Sequence, residues 1–201
     1  MSKSLKSARR PLFAIVILLG VAAAAGLGGA DFRMMAITGA TVQMFSHGII
    51  TGMLFFCVGV IYDHAHTREI AAFGGVAKRM PLLATLFTFA GLASLGLPGL
   101  AGFIAEYMTF TSSYASWPTV TIISVFTMIL TAAYLLWMLK RVFYGPFNQK
   151  WDWLPDASVR EAIPLIVLAA LIIVVGIYPA LLIDIITPTL QALMHGFVAV
   201  K

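Results

Sequence analysis

Long runs without a single charged residue are the feature that most constrains this chain. They cover residues 11–30, 34–62, 80–105, 107–139 and 162–183. A helix needs roughly 20 mostly apolar residues to cross a bilayer, and each run is long enough. Only 10% of the 201 residues are charged, against about 25% in soluble domains. The sequence therefore excludes a soluble globule and predicts an all-α polytopic membrane protein.

The basic residues lie at the ends of the apolar runs. A formal net charge of +5 would by itself suit a nucleic-acid partner. The pattern is instead that of topology-setting residues, so we expect a lipid bilayer and no nucleic acid. These residues are Lys3, Lys6, Arg9, Arg10, Arg68, Lys78, Arg79, Lys140, Arg141 and Lys150. Cys57, the single cysteine, excludes an internal disulfide, and His64 and His66 have no complementary ligand set, so we expect no metal site.

The positive-inside rule predicts about five spans, with the N-terminus in the cytoplasm and the C-terminus outside. Only Glu106 is charged between Arg79 and Lys140, and two crossings there keep Lys140 inside. Asp31 and Arg33 are expected in an outer loop. The other expected spans are 11–30, a segment within 34–62, 119–139 and 162–183.

The third span is expected to be broken. Residues 79–116 as one straight helix would measure about 55 Å, whereas the hydrocarbon core is about 30 Å thick. Gly96, Pro98, Gly99 and Gly102 are concentrated in one stretch, and such residues interrupt backbone hydrogen bonding. We therefore predict that this helix is discontinuous at Gly96–Gly102.

Glu106 is the main candidate for chemistry inside the membrane. It lies about ten residues, or about 15 Å, from the expected turn near Ser116, which is mid-membrane. A charged carboxylate costs about 2.5–3.5 kcal/mol at this depth, so an acid there is a functional candidate by default. A carboxyl group that alternates between dry and wet surroundings can take up and release protons. The alternative is a glutamate paired with a cation of a partner subunit.

A second candidate is a polar stripe on the second span. Gln43, His47 and Thr51 recur at four-residue intervals, which places them on one helical face. His47 lies about 12 Å from the expected outer end of its helix, near the depth estimated for Glu106. Its imidazole suits a proton relay, although a structural histidine bonded to a neighbouring helix is the alternative. Lys140 is a weaker candidate for proton uptake, since topology alone explains it.

Several segments closely resemble one family, the subunit M, or chain 4, antiporter-like subunit of respiratory complex I. The resemblance runs from about residue 37 to the C-terminus. The segments that carry it are 42–48 (VQMFSHG), 54–63 (LFFCVGVIYD), 66–70 (HTREI), 73–81 (FGGVAKRMP) and 92–107 (LASLGLPGLAGFIAEY). Relatives in cation/proton antiporter complexes and membrane-bound hydrogenases share a looser version of them.

The resemblance implies a role in proton translocation by an NADH:quinone oxidoreductase of the bacterial inner membrane. His47 matches the family's membrane histidine, and Glu106 matches the acid of a discontinuous helix from which protons leave toward the positive side. The family also implies FMN, iron-sulfur clusters and quinone, all held by other subunits. We therefore expect no cofactor and no complete active site in this chain.

The chain departs from the family in its first part. Residues 1–36 are expected to form a divergent basic head and first span, and residues 37–201 the C-terminal part of an antiporter-like domain. The family's first repeat is missing, so other membrane-arm subunits would have to supply those helices. Two other readings remain open: a subunit of a cation/proton antiporter or hydrogenase, and a non-conducting structural or assembly piece.

Overall fold

Seven α-helices are found in the computed structural model, within the residues it describes, namely 11–24, 26 and 29–199. The same residues contain no β-strand. The helices are α1 Pro11–Ala24, α2 Ala30–Ala65, α3 Pro81–Ser94, α4 Ala101–Ser116, α5 Pro118–Leu139, α6 Val159–Ile177 and α7 Ala180–Ala199. A π turn, Lys140–Tyr144, extends α5. The predicted all-α class is confirmed.

The helices form a polytopic membrane protein. Three helical segments are long and apolar enough to cross a bilayer: Ala30–Ala65, Pro118–Tyr144 and Val159–Ile177. Shorter apolar stretches lie in α1, α3 and α7. Helices α3 and α4 follow each other across a short break and together make one crossing, because neither is long enough alone. The discontinuous third span is therefore confirmed.

Helix α2 is central, since it packs against α1, α3, α4, α6 and α7. Lipid tails are as apolar as the side chains they surround, so membrane helices associate mainly through close packing. Glycines accordingly mark the contacts of α2. Gly39 lies against Met108 and Thr109 of α4, and Gly20 of α1 lies against Ala40.

The two ends of the helix bundle are called the loop side and the turn side. The loop side carries loops 66–80 and 145–158, next to the end of α2 at Ala65. The turn side carries Trp117, the single residue between α4 and α5. Gly26, just after α1, lies against Ser116, so α1 reaches the turn side as well.

Asp31 and Arg33 lie in the first turn of α2, which corrects the expected loop. The physical reason is that the Arg33 Nε donates a 2.8 Å hydrogen bond to the carbonyl oxygen of Ala24. The guanidinium thereby satisfies a carbonyl at the end of α1 from a helical position. Helix α2 is continuous across the expected boundary between residues 36 and 37, and the expected basic head at residues 1–10 lies outside the described residues.

The expected fifth span, 162–183, is in fact shared by two helices. Ser158 and Glu161 form a capping box, so α6 begins earlier than expected. Helix α6 ends at Ile177 because Pro179 disfavours helical backbone at Tyr178, which has φ −125° and ψ 70°. Helix α7 then runs from Ala180 to Ala199 and includes Asp184 and His195.

The two loops on the loop side pack as one layer. The Ala72 carbonyl oxygen accepts hydrogen bonds from the Asn148 Nδ2 at 3.1 Å and the Trp151 Nε1 at 2.8 Å. Asp156 accepts from the backbone amides of Leu82 and Leu83 at 2.8 and 3.2 Å. These amides have no partner within α3, so the loop layer caps the first half of the broken crossing.

Candidate functional site

The break between α3 and α4 covers residues 95–100. Gly96 and Gly99 have φ values of 67° and 88°, in the left-handed region that other residues rarely adopt. Pro98 has no amide hydrogen and cannot continue a helical hydrogen-bond ladder. Gly102 lies in the first turn of α4, where a Cβ would press on the last turn of α3. These four residues therefore explain why the crossing is interrupted here.

The side chain of Glu106 turns from α4 into this break. It is 5% exposed, and a Cβ added to Gly96 would collide with its Oε2 atom. The methyl group of Met128 on α5 closes the same space. Within the described part of the chain, Oε2 has no hydrogen-bond partner and Glu106 forms no ion pair. The carboxyl group is thus enclosed by protein beside irregular backbone, an arrangement tolerated at membrane depth only when buried or next to water.

Two contacts define the register between the antiparallel helices α2 and α4. The Ser46 Oγ donates a 3.1 Å hydrogen bond to the Ala101 carbonyl oxygen at the start of α4. Seven residues earlier on α2, Gly39 lies opposite Thr109. At 1.5 Å per residue, this register puts Gln43 near the height of Glu106.

The polar stripe of α2 lies along the edge of its buried face. Gln43 is buried and its Oε1 has no hydrogen-bond partner among the described residues, whereas His47 and Thr51 are half-buried. The register leaves His47 about 7 Å nearer the loop side than Glu106, where the sequence estimate gave them a common depth. The Thr51 hydroxyl donates to the His47 carbonyl oxygen at 2.6 Å. Gln43 is therefore the member of the stripe at the height of the acid.

Lys140 lies apart from the break. It is exposed in the π turn at the loop-side end of α5. Met128 marks the height of Glu106 on the same helix, and twelve residues correspond to about 18 Å. The structure therefore keeps Lys140 away from Glu106 and near the loop side.

His64 and His66 lie at the loop-side end of α2. The His64 Nε2 lies 3.1 Å from the Glu161 Oε1, so His64 joins the end of α2 to the start of α6. His66 ends α2 with φ 51°. Among the described residues there is no group of three His, Cys, Asp or Glu side chains that could hold a metal ion.

Two sets of residues around the break were missed by sequence reasoning. Gly176 of α6 packs on the backbone of Gly99 and Leu100, so the end of α6 meets the break directly. Its position three residues before Pro179 was the available signal. The second set is a group of buried hydroxyls on the turn side of Glu106: Thr109, Ser112 and Ser113 of α4, with Thr121 and Ser124 of α5. The available signal was the helical spacing of Thr109 and Ser113 from Glu106.

Comparison with known proteins identifies the family. The model of the NADH:quinone oxidoreductase/Mrp antiporter transmembrane family matches residues 26–131, more than half of the chain. The chain belongs to this family. It is 41% identical over 166 residues to the NADH-quinone oxidoreductase subunit M of Rhodobacter capsulatus, covering 82% of this chain and 32% of that protein.

Two further relatives agree with this family. The chain is 44% identical over 168 residues to an NAD(P)H-quinone oxidoreductase chain 4 of Trichormus variabilis, covering 78% of this chain and 32% of that protein. A chain of respiratory complex I from Thermus thermophilus, solved with bound NADH, superimposes with a TM-score of 0.80 and 26% identity, covering 90% of this chain and 36% of that one. The chain thus spans about a third of the length of the relatives it matches.

Proposed function

We propose that this chain is a membrane-arm part of a proton-translocating NADH:quinone oxidoreductase and contributes the distal part of a proton path. Glu106 is the acid that takes up and releases the proton. The single observation that carries this assignment is the enclosed carboxyl group of Glu106, turned into a glycine-rich helix break with its Oε2 unpaired among the described residues. The family and the similarity to subunit M proteins support it.

The physical case rests on how a buried carboxyl group responds to its surroundings. An acid at membrane depth is costly, and it is retained where it serves transport or a permanent ion pair. Glu106 forms no ion pair with the described residues, so a proton is the simplest neutralising partner. The adjacent break exposes backbone polar groups that can hold water, which gives that proton a way in or out.

Charge distribution supports an orientation with the loop side in the cytoplasm. The loops on that side carry several of the basic residues, as the positive-inside rule requires. These are Arg68, Lys78, Arg79 and Lys150. Among the described residues, the turn side carries one basic residue, Arg33, so protons from Glu106 would leave toward this opposite, positive side of a bacterial inner membrane.

His47 is proposed as the relay that supplies Glu106, with Gln43 between them. Because His47 lies about 7 Å nearer the loop side, direct transfer over that distance requires an intermediate group or water. The Oε1 of Gln43, which has no partner in the described part of the chain and lies at the height of Glu106, suits a water-binding role. Thr51 then acts on the backbone of His47 rather than on the proton.

The redox cofactors of such a complex would be held by other subunits. An iron-sulfur cluster is ligated by about four cysteine thiolates, and this chain has the single, buried Cys57. The clusters are therefore assigned to partners, and FMN and quinone are assigned to them as well because the resemblance to the family implies it. Other membrane-arm subunits would also supply the helices that correspond to the rest of the longer relatives.

A Glu106→Gln variant tests the proposal, because glutamine keeps the size of the side chain and removes its exchangeable proton. NADH-driven acidification is measured in inverted membrane vesicles that contain the assembled complex, and assembly is checked by native electrophoresis. We expect assembly to be retained and most of the acidification to be lost. The matched control is Glu69→Gln, at an exposed glutamate of the loop side.

The same experiment separates the rival readings. Normal acidification by an assembled Glu106→Gln complex would support a structural or assembly role for the chain. Proton movement that responds to a sodium gradient and not to NADH would support a cation/proton antiporter, which the family also includes. Loss of acidification in the Glu69→Gln control as well would show that the assay reports assembly alone.

A further inference from the structure

A groove of about 520 Å³ opens between the loop-side ends of α2 and α6. Pockets that hold small organic molecules usually measure about 300–1,000 Å³, so the groove is large enough for a ligand. Helix α2 lines it with Phe55, Phe56, Gly59, Val60 and Asp63, which lie on one helical face. At 1.5 Å per residue, this face extends about 12 Å from the acid toward the membrane centre. The groove therefore runs from the membrane surface into the hydrocarbon.

The floor of the groove is apolar and open. Phe55 and Phe56 are 70% and 53% exposed, and Pro164 of α6 lies on the facing wall. A Cβ at Gly59 would have none of the described residues within 4 Å, so the floor is widest at this glycine. At this depth, open apolar surface next to a membrane suits the acyl chain of a lipid.

The rim of the groove carries two opposite charges. Asp63 lies two residues before the end of α2 at Ala65, and Arg160 is the second residue of α6. Both side chains line the groove and both residues are exposed. Neither forms an ion pair with any residue that the structure describes, and they are too far apart to pair with each other. The rim therefore offers a carboxylate and a guanidinium to a ligand between them.

Glu161, the third charged residue of the rim, is already bonded. Its Oε1 lies 3.1 Å from the His64 Nε2, and its Oε2 accepts hydrogen bonds from the amide and hydroxyl groups of Ser158 at 2.7 and 2.6 Å. These contacts join the end of α2 to the start of α6. Asp63 and Arg160 each lie one residue away from this link, so the fold sets the distance between the two free charges.

We propose that the groove binds one molecule of phosphatidylethanolamine. Its phosphate lies on Arg160, its ammonium group lies on Asp63, and the start of an acyl chain lies on the apolar floor. The headgroup carries one negative and one positive charge, which matches the free pair on the rim. A primary ammonium group donates charge-assisted hydrogen bonds to a carboxylate, whereas the quaternary ammonium group of phosphatidylcholine has no hydrogen to donate.

The charges of the rim also disfavour an anionic lipid. Pockets that bind anionic headgroups are basic. This rim has two acids, Asp63 and Glu161, and one base, Arg160. A phosphatidylglycerol headgroup would pair with the base, but it would leave the free acid without a partner. The site lies apart from the break between α3 and α4, so it does not depend on the role proposed for Glu106.

Carbodiimide crosslinking tests the site at a single residue. The assembled complex is placed in vesicles of phosphatidylethanolamine and phosphatidylglycerol in equal amounts. A water-soluble carbodiimide then joins a carboxylate to an amine in contact with it as an amide, and peptide mass spectrometry locates the product. Among these two lipids only phosphatidylethanolamine has an amine. We expect a lipid adduct at Asp63 in higher yield than at Glu69, an exposed loop-side glutamate outside the groove.

Dilution of the lipid distinguishes a bound molecule from a passing one. Phosphatidylethanolamine is lowered about tenfold by replacement with phosphatidylglycerol. The adduct at Glu69 should fall about tenfold because it follows the frequency of encounters, whereas a saturated site at Asp63 should lose less than about half of its adduct.

Two substitutions connect the adduct to the groove. Arg160→Gln removes the partner of the phosphate, and Gly59→Phe fills the floor. At the low lipid content we expect the Asp63 adduct to fall about tenfold in each, because a hydrogen bond to a charged group contributes about that factor. Arg160→Lys keeps the charge and should restore most of the adduct. Gly59→Ala adds a single methyl group and is the matched control, with no change expected.

Several results would overturn the site. One is an Asp63 adduct no more frequent than the Glu69 adduct, or one that falls as steeply on dilution. Another is an Asp63 adduct that persists in an Arg160→Gln or Gly59→Phe complex whose assembly is confirmed by native electrophoresis. Either variant decides alone, so failure of one to assemble leaves the other as the test. A crosslink from Asp63 to a lysine of another subunit would show that protein, and not lipid, covers the groove.

Discussion

The loop layer and the break between α3 and α4 differ in how completely their polar groups are hydrogen-bonded. In the loop layer, Asp156 accepts two backbone hydrogen bonds and the Ala72 carbonyl oxygen accepts two from side chains. Around the break, polar atoms of Glu106, Gln43 and Thr109 are buried without a partner among the described residues. The two regions are the two ends of α3, so one short helix joins a fully bonded layer to an incompletely bonded one.

This difference in hydrogen bonding distinguishes polar groups that stabilise the structure from polar groups that take part in function. Satisfied buried networks give rigidity, and each unpaired group needs an explanation such as a proton, water or a ligand. The loop layer holds the start of α3, the end of that helix opposite the break. The break in turn presents a carboxyl group that forms no ion pair with the residues the structure describes. Variants in the two regions should therefore differ in kind: those at the break should alter transport, and those in the loop layer should alter stability alone.

The largest effect is expected for Gly176→Ala, where α6 touches the break. A Cβ would meet the backbone of Gly99 and Leu100, which cannot move aside as a flexible side chain can. Overpacking of this kind typically costs about 1–3 kcal/mol, and we expect the upper end of that range. The measurement is the thermal unfolding midpoint of the purified protein in detergent, together with acidification by the assembled complex.

Gly59→Ala on α2 is the matched control, because none of the described residues lies within 4 Å of a Cβ at that glycine. Alanine is favoured over glycine in a helix by about 1 kcal/mol, so this variant should be as stable as the parent or more so. A Gly176→Ala protein with an unchanged midpoint and normal transport would show that the end of α6 is not in close contact with the break.

A smaller effect, but one more specific to the acid, is expected for Gly96→Ala. The left-handed conformation costs a non-glycine residue about 1–2 kcal/mol, and the new Cβ would displace the Glu106 carboxyl group. Acidification should fall, and the loss of stability should be smaller in a Glu106→Ala background, where the collision is absent. A double-mutant cycle of unfolding midpoints measures that coupling. Additive effects would contradict the contact, and Gly48→Ala serves as the open-glycine control.

The break and its acid could be predicted from the sequence because their signals are local. Gly96, Pro98 and Gly99 change the backbone where they stand, and Glu106 is conspicuous as the only charge in its region. The end of α6 was not predicted, since Tyr178 and Pro179 lie inside a continuous apolar run. Hydropathy shows where a chain is buried in lipid, but it carries no information on where a helix bends.

Relationships between distant residues could not be predicted at all. Whether Gln43 or His47 lies level with Glu106 depends on how α2 slides against α4, and a shift of one turn changes the answer. The contact of Gly176 with Gly99 joins residues far apart in sequence. Helix periodicity places Gln43, His47 and Thr51 on one face of α2, but it does not give the register of α2 against α4.

The smallest effect is expected for a variant in the loop layer. Asp156→Ala removes the acceptor for the Leu82 and Leu83 amides, 74 and 73 residues away in sequence, and loss of a helix cap costs about 0.5–2 kcal/mol. Pro81 has no amide of its own, so these are the first donors of α3, and no other side chain of the described residues caps them. The unfolding midpoint should fall while acidification per assembled complex stays normal.

The control is Asp152→Ala, whose 3.7 Å pair with Arg79 is largely exposed and should matter little. Transport lost in an assembled, folded Asp156→Ala complex would instead mean that the loop layer takes part in proton transfer, and the division between the two ends of α3 would fail.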